Sequence, residues 1–168
     1  MNKFYYSLLF MLLSITSKAQ QIDLNYLIQI FEAKSENAET MLLSKGFIFS
    51  NYQEEGGEKY TYEYPTKPDT SLIIYNGDNN YFNYVTFNTT DVDKYLELKD
   101  GISKLKLIHY TRTNASNGSA ISNVYCKNDR EFDFLQGKFG GKTRYIITIS
   151  DYRFVVEASD TFKKHKCQ

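Results

Sequence analysis

His109 and His165 are the two histidines of the 168-residue chain, and Cys126 and Cys167 are its two cysteines. Imidazole and thiolate are the groups that most often hold transition metals or act as nucleophiles, so these four positions bound that chemistry. His109 stands between Ile108 and Tyr110, and His165 lies in Lys163-Lys164-His165-Lys166; neither belongs to an HExxH or other local ligand spacing. Neither cysteine has a CxxC or helix-start context that would lower its pKa. The chain contains no GxSxG elbow, P-loop or GxGxxG, and Gly140-Gly141-Lys142 is too short to cradle a phosphate and reads as a turn. The expectation is no metal, no cofactor and no assigned catalytic residue.

Carboxylates pair at Glu54/Glu55, Asp91/Asp93 and Glu131/Asp133. Such pairs can do general acid–base work when a fold brings them to one site. Each lies at or near a predicted turn or helix start, where acids solvate loops and cap helices. Asn76-Gly77-Asp78-Asn79-Asn80 offers oxygen ligands for calcium, but it lacks the loop length and terminal Glu of an EF-hand. The same residue types are those a hairpin turn demands.

The tyrosines are the strongest lead, with 15 Tyr and 12 Phe but no Trp. Tyr60, Tyr62 and Tyr64 alternate with Thr61 and Glu63, so in a strand their rings share one face. Tyr81 and Tyr84 extend the candidate binding set, and Tyr52, Tyr75 and Phe82 fall in or beside neighbouring strands. An exposed tyrosine surface suits a protein interface, because the rings bury area at low entropic cost. The other reading makes the stripe the buried face that carries the helices. Stacking on a sugar is a third use, weakened by the missing Trp.

These residues need elements to position them. Asp23 caps a helix with Leu24, Leu27, Ile28 and Phe31 at helical spacing, and a second helix runs from Glu36 to Lys45 and stops at Gly46. The period then changes to two. Strands are expected at 47–50, 60–64, 72–75 and 81–87, with a turn near Gln53–Gly57, a loop marked by Pro65 and Pro68, and a tight turn at Asn76–Asn79. The pattern then restarts. Asp91 or Asp93 caps a helix carrying Val92, Tyr95, Leu96 and Leu98 and ending at Gly101, followed by strands at 105–110, 121–126, 132–135 and 144–149. Residues 154–162 fit either a strand or a helix.

The fold class is α+β: one or two tandem units of an N-terminal helix followed by a four-stranded antiparallel sheet, with the helices packed on one face. Two repeats would occupy about 22–90 and 91–158 within one domain at 20–168. An offset of 60–62 residues sets Phe47 against Leu107 and Val85-Thr86-Phe87 against Ile147-Thr148-Ile149. A single irregular domain is the alternative.

Lys3, the apolar run Phe4–Ile15 and Ser17-Lys18-Ala19 have the layout of a secretory signal peptide over residues 1–19. That run is too short to span a bilayer, so no integral membrane segment is expected after cleavage. Cleavage leaves 18 basic against 20 acidic residues, a net charge of −2. Export makes a Cys126–Cys167 disulfide feasible, with free or intermolecular thiols as the alternatives. With 42% hydrophobic and 24% charged residues, the chain has enough apolar surface to fold. Its balance of 20 basic and 20 acidic residues excludes nucleic-acid binding by bulk charge.

This element order resembles that of beta-lactamase-inhibitor-protein-like proteins among small exported bacterial proteins. The resemblance implies tandem helix-plus-sheet repeats that bind another protein across a sheet face. Export, the missing catalytic motifs and the tyrosine alternation give the expected function: an exported, non-enzymatic protein-binding or inhibitor-like module in the periplasm or outside the cell, its partner another envelope or extracellular protein. The alternative is a small periplasmic hydrolase or ligand-binding protein using dispersed carboxylates and His109.

Overall fold

A computed structural model describes residues 22–33, 35–54, 56–77, 83–113, 120–127 and 130–151. Within them, helix α1 spans Leu24–Glu32, α2 Ser35–Ser44 and α3 Val92–Ser103. The strands are β1 Ile48–Glu54, β2 Gly57–Tyr64, β3 Lys67–Gly77, β4 Asn83–Thr89, β5 Ile108–Thr113, β6 Ala120–Lys127, β7 Arg130–Phe139 and β8 Lys142–Asp151. The fold is α+β with an antiparallel sheet.

The helix ends follow from local chemistry. Asp23 accepts from the Tyr26 amide at 2.7 Å and starts α1, and Asp91 accepts from the Lys94 amide at 3.0 Å and starts α3. Helix α2 stops at Gly46, whose φ of 84° lets the Gly46 amide reach Leu43 O at 3.0 Å and the Phe47 amide reach Leu42 O at 3.2 Å. Leu24, Leu27 and Ile30 of α1, Ala38 and Leu42 of α2, and Tyr95, Leu98 and Ile102 of α3 supply the buried stripes.

Two expectations about α3 change. The helix runs through Gly101 instead of ending there, because a Cβ at that position would sit 3.1 Å from Leu24 Cβ. Gly101 serves the close approach of α3 to α1 and not a stop. Val92 and Leu96 are exposed, at 44% and 54%, so the buried face passes through Ile102 instead.

The expected four-stranded sheets are joined into one. The eight strands run β1-β2-β3-β4-β8-β7-β6-β5, so β4 and β8, the last strands of two antiparallel meanders, pair at the centre. Pairing them removes two unpaired edges and leaves β1 and β5 as the outer strands. The halves do not match fully, since two helices precede β1 and one precedes β5. Several strands also outrun their sequence signals. β3 starts at Lys67 because Pro68 sits where the register with β2 shifts and no ladder amide is needed. Asn76 and Gly77 are strand residues paired with Glu58 and Gly57, not a turn. The Gly140-Gly141 turn holds as expected, with φ of 59° and 81° between Phe139 and Lys142.

The helices cover one face. Leu72, Ile74, Val85, Phe87, Phe132, Phe134, Tyr145, Ile147 and Ile149 meet Leu27, Ile30, Leu42 and Leu98 in one core cluster.

Candidate functional site

Cross-strand register decides which tyrosines share a surface, because directly opposed residues point to the same side. Tyr62 opposes Leu72, and Leu72 opposes Phe87, so Tyr60, Tyr62 and Tyr64 lie on the helix side. Tyr62 is 2% exposed and belongs to the core, while Tyr60 and Tyr64 are half-buried and pack against it. Their aromatic neighbours are on β1 and just before it: Tyr52–Tyr60 at 5.2 Å, Phe49–Tyr62 at 5.8 Å and Phe47–Tyr64 at 5.2 Å. Tyr60 donates to the Glu58 carboxylate at 2.9 Å. Burial and that carboxylate push the Tyr60 phenol up to about 12.

Tyr84 sits on the opposite face from the stripe, and Tyr81 lies outside the described residues. The five tyrosines singled out from the sequence are therefore not one surface. Tyr84 instead opposes Tyr75, and the two rings stack with centroids 4.9 Å apart and planes 10° apart. The Tyr75 hydroxyl donates to Gly56 O at 2.7 Å, which fixes the outer ring against the β1–β2 turn. That turn needs glycine: Gly56 has φ 65°, and a Cβ on Gly57 (φ 147°) would lie 2.6 Å from Asn76 O. Burial, then the neighbouring Tyr75, raises the pKa of Tyr84.

Around this pair the face away from the helices can be read row by row. One row is Lys59, Tyr75, Tyr84 and Ser150; the next is Thr61, Ile73, Thr86 and Thr148; the third is Glu63, Ser71, Asn88 and Ile146. All but the exposed Glu63 and the buried Ser150 are half-buried. Thr86 and Thr148 hydroxyls meet at 3.0 Å across the β4–β8 seam, and Asn88 Nδ2 donates to Ser71 Oγ at 3.3 Å. The result is a surface of aromatic, aliphatic and hydroxyl groups. Such a surface can bind by area and by hydrogen bonds, and no described helix or strand covers it.

The remaining sequence candidates disperse. Asp91 is a helix cap 3.4 Å from Lys67 Nζ, and its carboxyl is held below the usual range first by the Lys94 amide and then by Lys67. Glu131 and Asp133 lie in β7, near the Lys127–Arg130 end of its pairing with β6; Glu131 is 3% exposed, and Asp133 accepts from the Ser122 hydroxyl. Glu54 is exposed on β1. Cys126 is buried in β6 and carries no free thiol. His109, on β5, pairs in register with Tyr125 of β6. Among the described residues no group of three or more His, Cys, Asp or Glu could hold a metal ion, and no helix is long and apolar enough to cross a membrane. Glu55, Asp78–Asn80, Phe82, His165, Cys167, the signal-like residues 1–19 and residues 154–162 lie outside the described residues. On the helix side a shallow groove of about 630 Å³ runs beside α3, between Leu96, Lys99 and Ile102 and Tyr125 of β6.

Sequence reasoning missed that Tyr75 and Tyr84 stack on the face away from the helices, while the stripe lies on the helix side. The signal was in β3. Leu72, Ile73, Ile74 and Tyr75 are apolar without alternation, so both faces of that strand carry apolar groups. Comparison with known protein families, with curated proteins and with solved structures returns no match.

Proposed function

We propose that the protein is an exported, non-enzymatic binding module that engages another protein across the open face of β2, β3, β4 and β8. The carrying observation is the stacked Tyr75–Tyr84 pair set among Ile73, Thr86, Thr148 and Ile146 on a face that no described helix or strand covers. Tyrosine, threonine and isoleucine in a half-buried layer are what a protein partner buries well, and Lys59 and Glu63 supply a charged rim. The resemblance to beta-lactamase-inhibitor-protein-like proteins points the same way, because binding across a sheet face is what it implies. Export rests on residues 1–19.

Reading the chain as two repeats at about 22–90 and 91–158 belongs to this proposal. It is supported by Thr86 facing Thr148 across the central seam 62 residues on, and by positive φ at both Gly46 and Lys106, just before β1 and β5. A repeat pair joined at β4–β8 supplies one wide sheet face instead of two narrow ones.

The test is capture by the mature chain, residues 20–168, from envelope and medium fractions of the source organism, beside a Tyr75→Ser/Tyr84→Ser variant. One protein retained by the wild type and reduced at least about ten-fold by the variant, with the fold intact, is the expected result. Equal capture by both chains sinks the assignment of this face.

A further inference from the structure

β1 lies at the rim of the sheet and has a strand neighbour on one side only, β2. All seven of its residues are exposed, among them Ile48 at 51%, Phe49 at 48% and Tyr52 at 43%. Its outward amides and carbonyls meet no strand among the described residues, and an edge in that state is a template for another strand. Folds commonly blunt such an edge with Lys, with Pro or with a charge amid the strand. The segment Ile48-Phe49-Ser50-Asn51-Tyr52-Gln53-Glu54 has no Lys and no Pro, and its one charge stands at the last residue.

A bulge, another device that blunts edges, is present, and here it has a second effect. The register passes from Phe49–Tyr62 to Asn51–Thr61, so Ser50 is an extra residue with none opposite it on β2. Phe49 and Tyr52 thereby share the helix side, where they oppose Tyr62 and Tyr60. Ile48 and Gln53 oppose Glu63 and Lys59 on the open face. The side pattern of β1 is therefore symmetric about the Ser50–Asn51 bond. An antiparallel copy centred there sets Phe49 against the partner's Tyr52 and Ile48 against the partner's Gln53, each pair on one side of the sheet. A shift of one residue either way sets Phe49 against Asn51 or Gln53, which point to the opposite face.

We propose that β1 pairs antiparallel with β1 of a second copy of this chain, about a two-fold axis at the Ser50–Asn51 bond, so that the two sheets continue as one. The aromatic contacts Tyr52–Tyr60 at 5.2 Å and Phe49–Tyr62 at 5.8 Å then join into a row that crosses the interface: Tyr60, Tyr52, the partner's Phe49 and the partner's Tyr62. Charge selects the direction. The end of β1 is acidic, with Glu54 opposite Glu58, and Lys45 stands just before its start. Antiparallel pairing lays the acidic end of one strand beside the basic start of the other, whereas in-register parallel pairing sets Glu54 on Glu54. A two-fold contact of this kind closes on itself at two chains. It does not rest on the binding reading, because the edge and the open face are different surfaces. The axis runs normal to the sheet, so both Tyr75–Tyr84 pairs face the same way.

The experiment uses the mature chain, residues 20–168. In analytical ultracentrifugation its mass is expected to rise from one chain to two between about 1 µM and about 1 mM, the range of a small interface. Hydrogen exchange at the two ends of that range is expected to show slower exchange at high concentration in β1, with β5 and the β3–β4 pair unchanged. Ser50→Lys sets two ammonium groups across the axis at an exposed position outside the β1–β2 ladder. With the fold intact by circular dichroism, it is expected to raise the dissociation constant of the dimer at least about ten-fold. Should that variant fail to fold, mass and exchange of the wild type decide the matter alone. A mass of one chain at every concentration, slower exchange in β5 or β3–β4 instead of β1, or a folded Ser50→Lys chain that dimerises as tightly as the wild type each overturns the pairing.

Discussion

At the scale of single residues, Tyr60 shows how a side chain half inside a sheet acquires a measurable signature. Burial disfavours its phenolate, and the Glu58 carboxylate 2.9 Å away both accepts its proton and repels its negative charge, so its pKa rises from 10.0 to about 12. A raised pKa means that the folded state holds the proton more tightly than the unfolded chain. The stabilisation is complete below pH 10, where both states are protonated, and is lost as the pH climbs toward about 12. In the Glu58→Gln variant, the Tyr60 resonance followed by NMR is expected to titrate closer to the ordinary 10.0. A titration unmoved by that substitution would mean that burial alone sets the value. Tyr60 therefore reports on the β1–β2 edge.

At the scale of elements, the N-cap of α3 ties local chemistry to sheet packing. Asp91 receives the Lys94 amide and stands 3.4 Å from Lys67 Nζ at the start of β3, so one carboxylate both starts the helix and touches the sheet. Asp91→Ala is expected to cost about 1 kcal/mol at neutral pH, read from urea denaturation. Because the folded carboxyl titrates below the ordinary 3.8, that difference persists above 3.8 and fades as the pH falls through the lowered folded value. A difference unchanged down to the lowest pH would assign the cost to helix propensity instead of the cap. Asp91, Asp23 and Gly46 were legible in the sequence because caps are written within a few residues of the ends they fix. The Gly140-Gly141 hairpin was legible for the same reason. Gly101 was not, since its role is set by Leu24 on another helix, 77 positions earlier in the chain. The tyrosine stripe was half legible: period two fixes that Tyr60, Tyr62 and Tyr64 share a face, and only the register with Leu72 fixes which face. The stacked pair needed the β3–β4 register to bring Tyr75 onto Tyr84.

At the scale of the whole molecule, the seam between β4 and β8 decides whether the chain is two units or one. Leu72, Ile74, Val85 and Phe87 come from the first meander, and Phe132, Phe134, Tyr145, Ile147 and Ile149 from the second. All nine belong to one cluster with residues of all three helices. Phe87 opposes Ile147 directly across the seam and is 2% exposed. Neither half can keep its apolar face dry once the seam opens, so the two must unfold together. Phe87→Ala is expected to cost about 3–5 kcal/mol, since truncation leaves a cavity that both halves line. Leu96→Ala, at a position 54% exposed, is expected to stay within about 0.5 kcal/mol. Hydrogen exchange separates the two architectures more sharply than stability does. One shared core requires Phe87→Ala to lower amide protection in β7 as much as in β3, although the substitution lies in the first half. Two unfolding transitions, with β7 keeping its protection while β3 loses it, would mean that the meanders are independent units that touch at β4 and β8. The shared-core outcome also bears on the proposed binding, because a rigid open face would present Tyr75 and Tyr84 to a partner already in place.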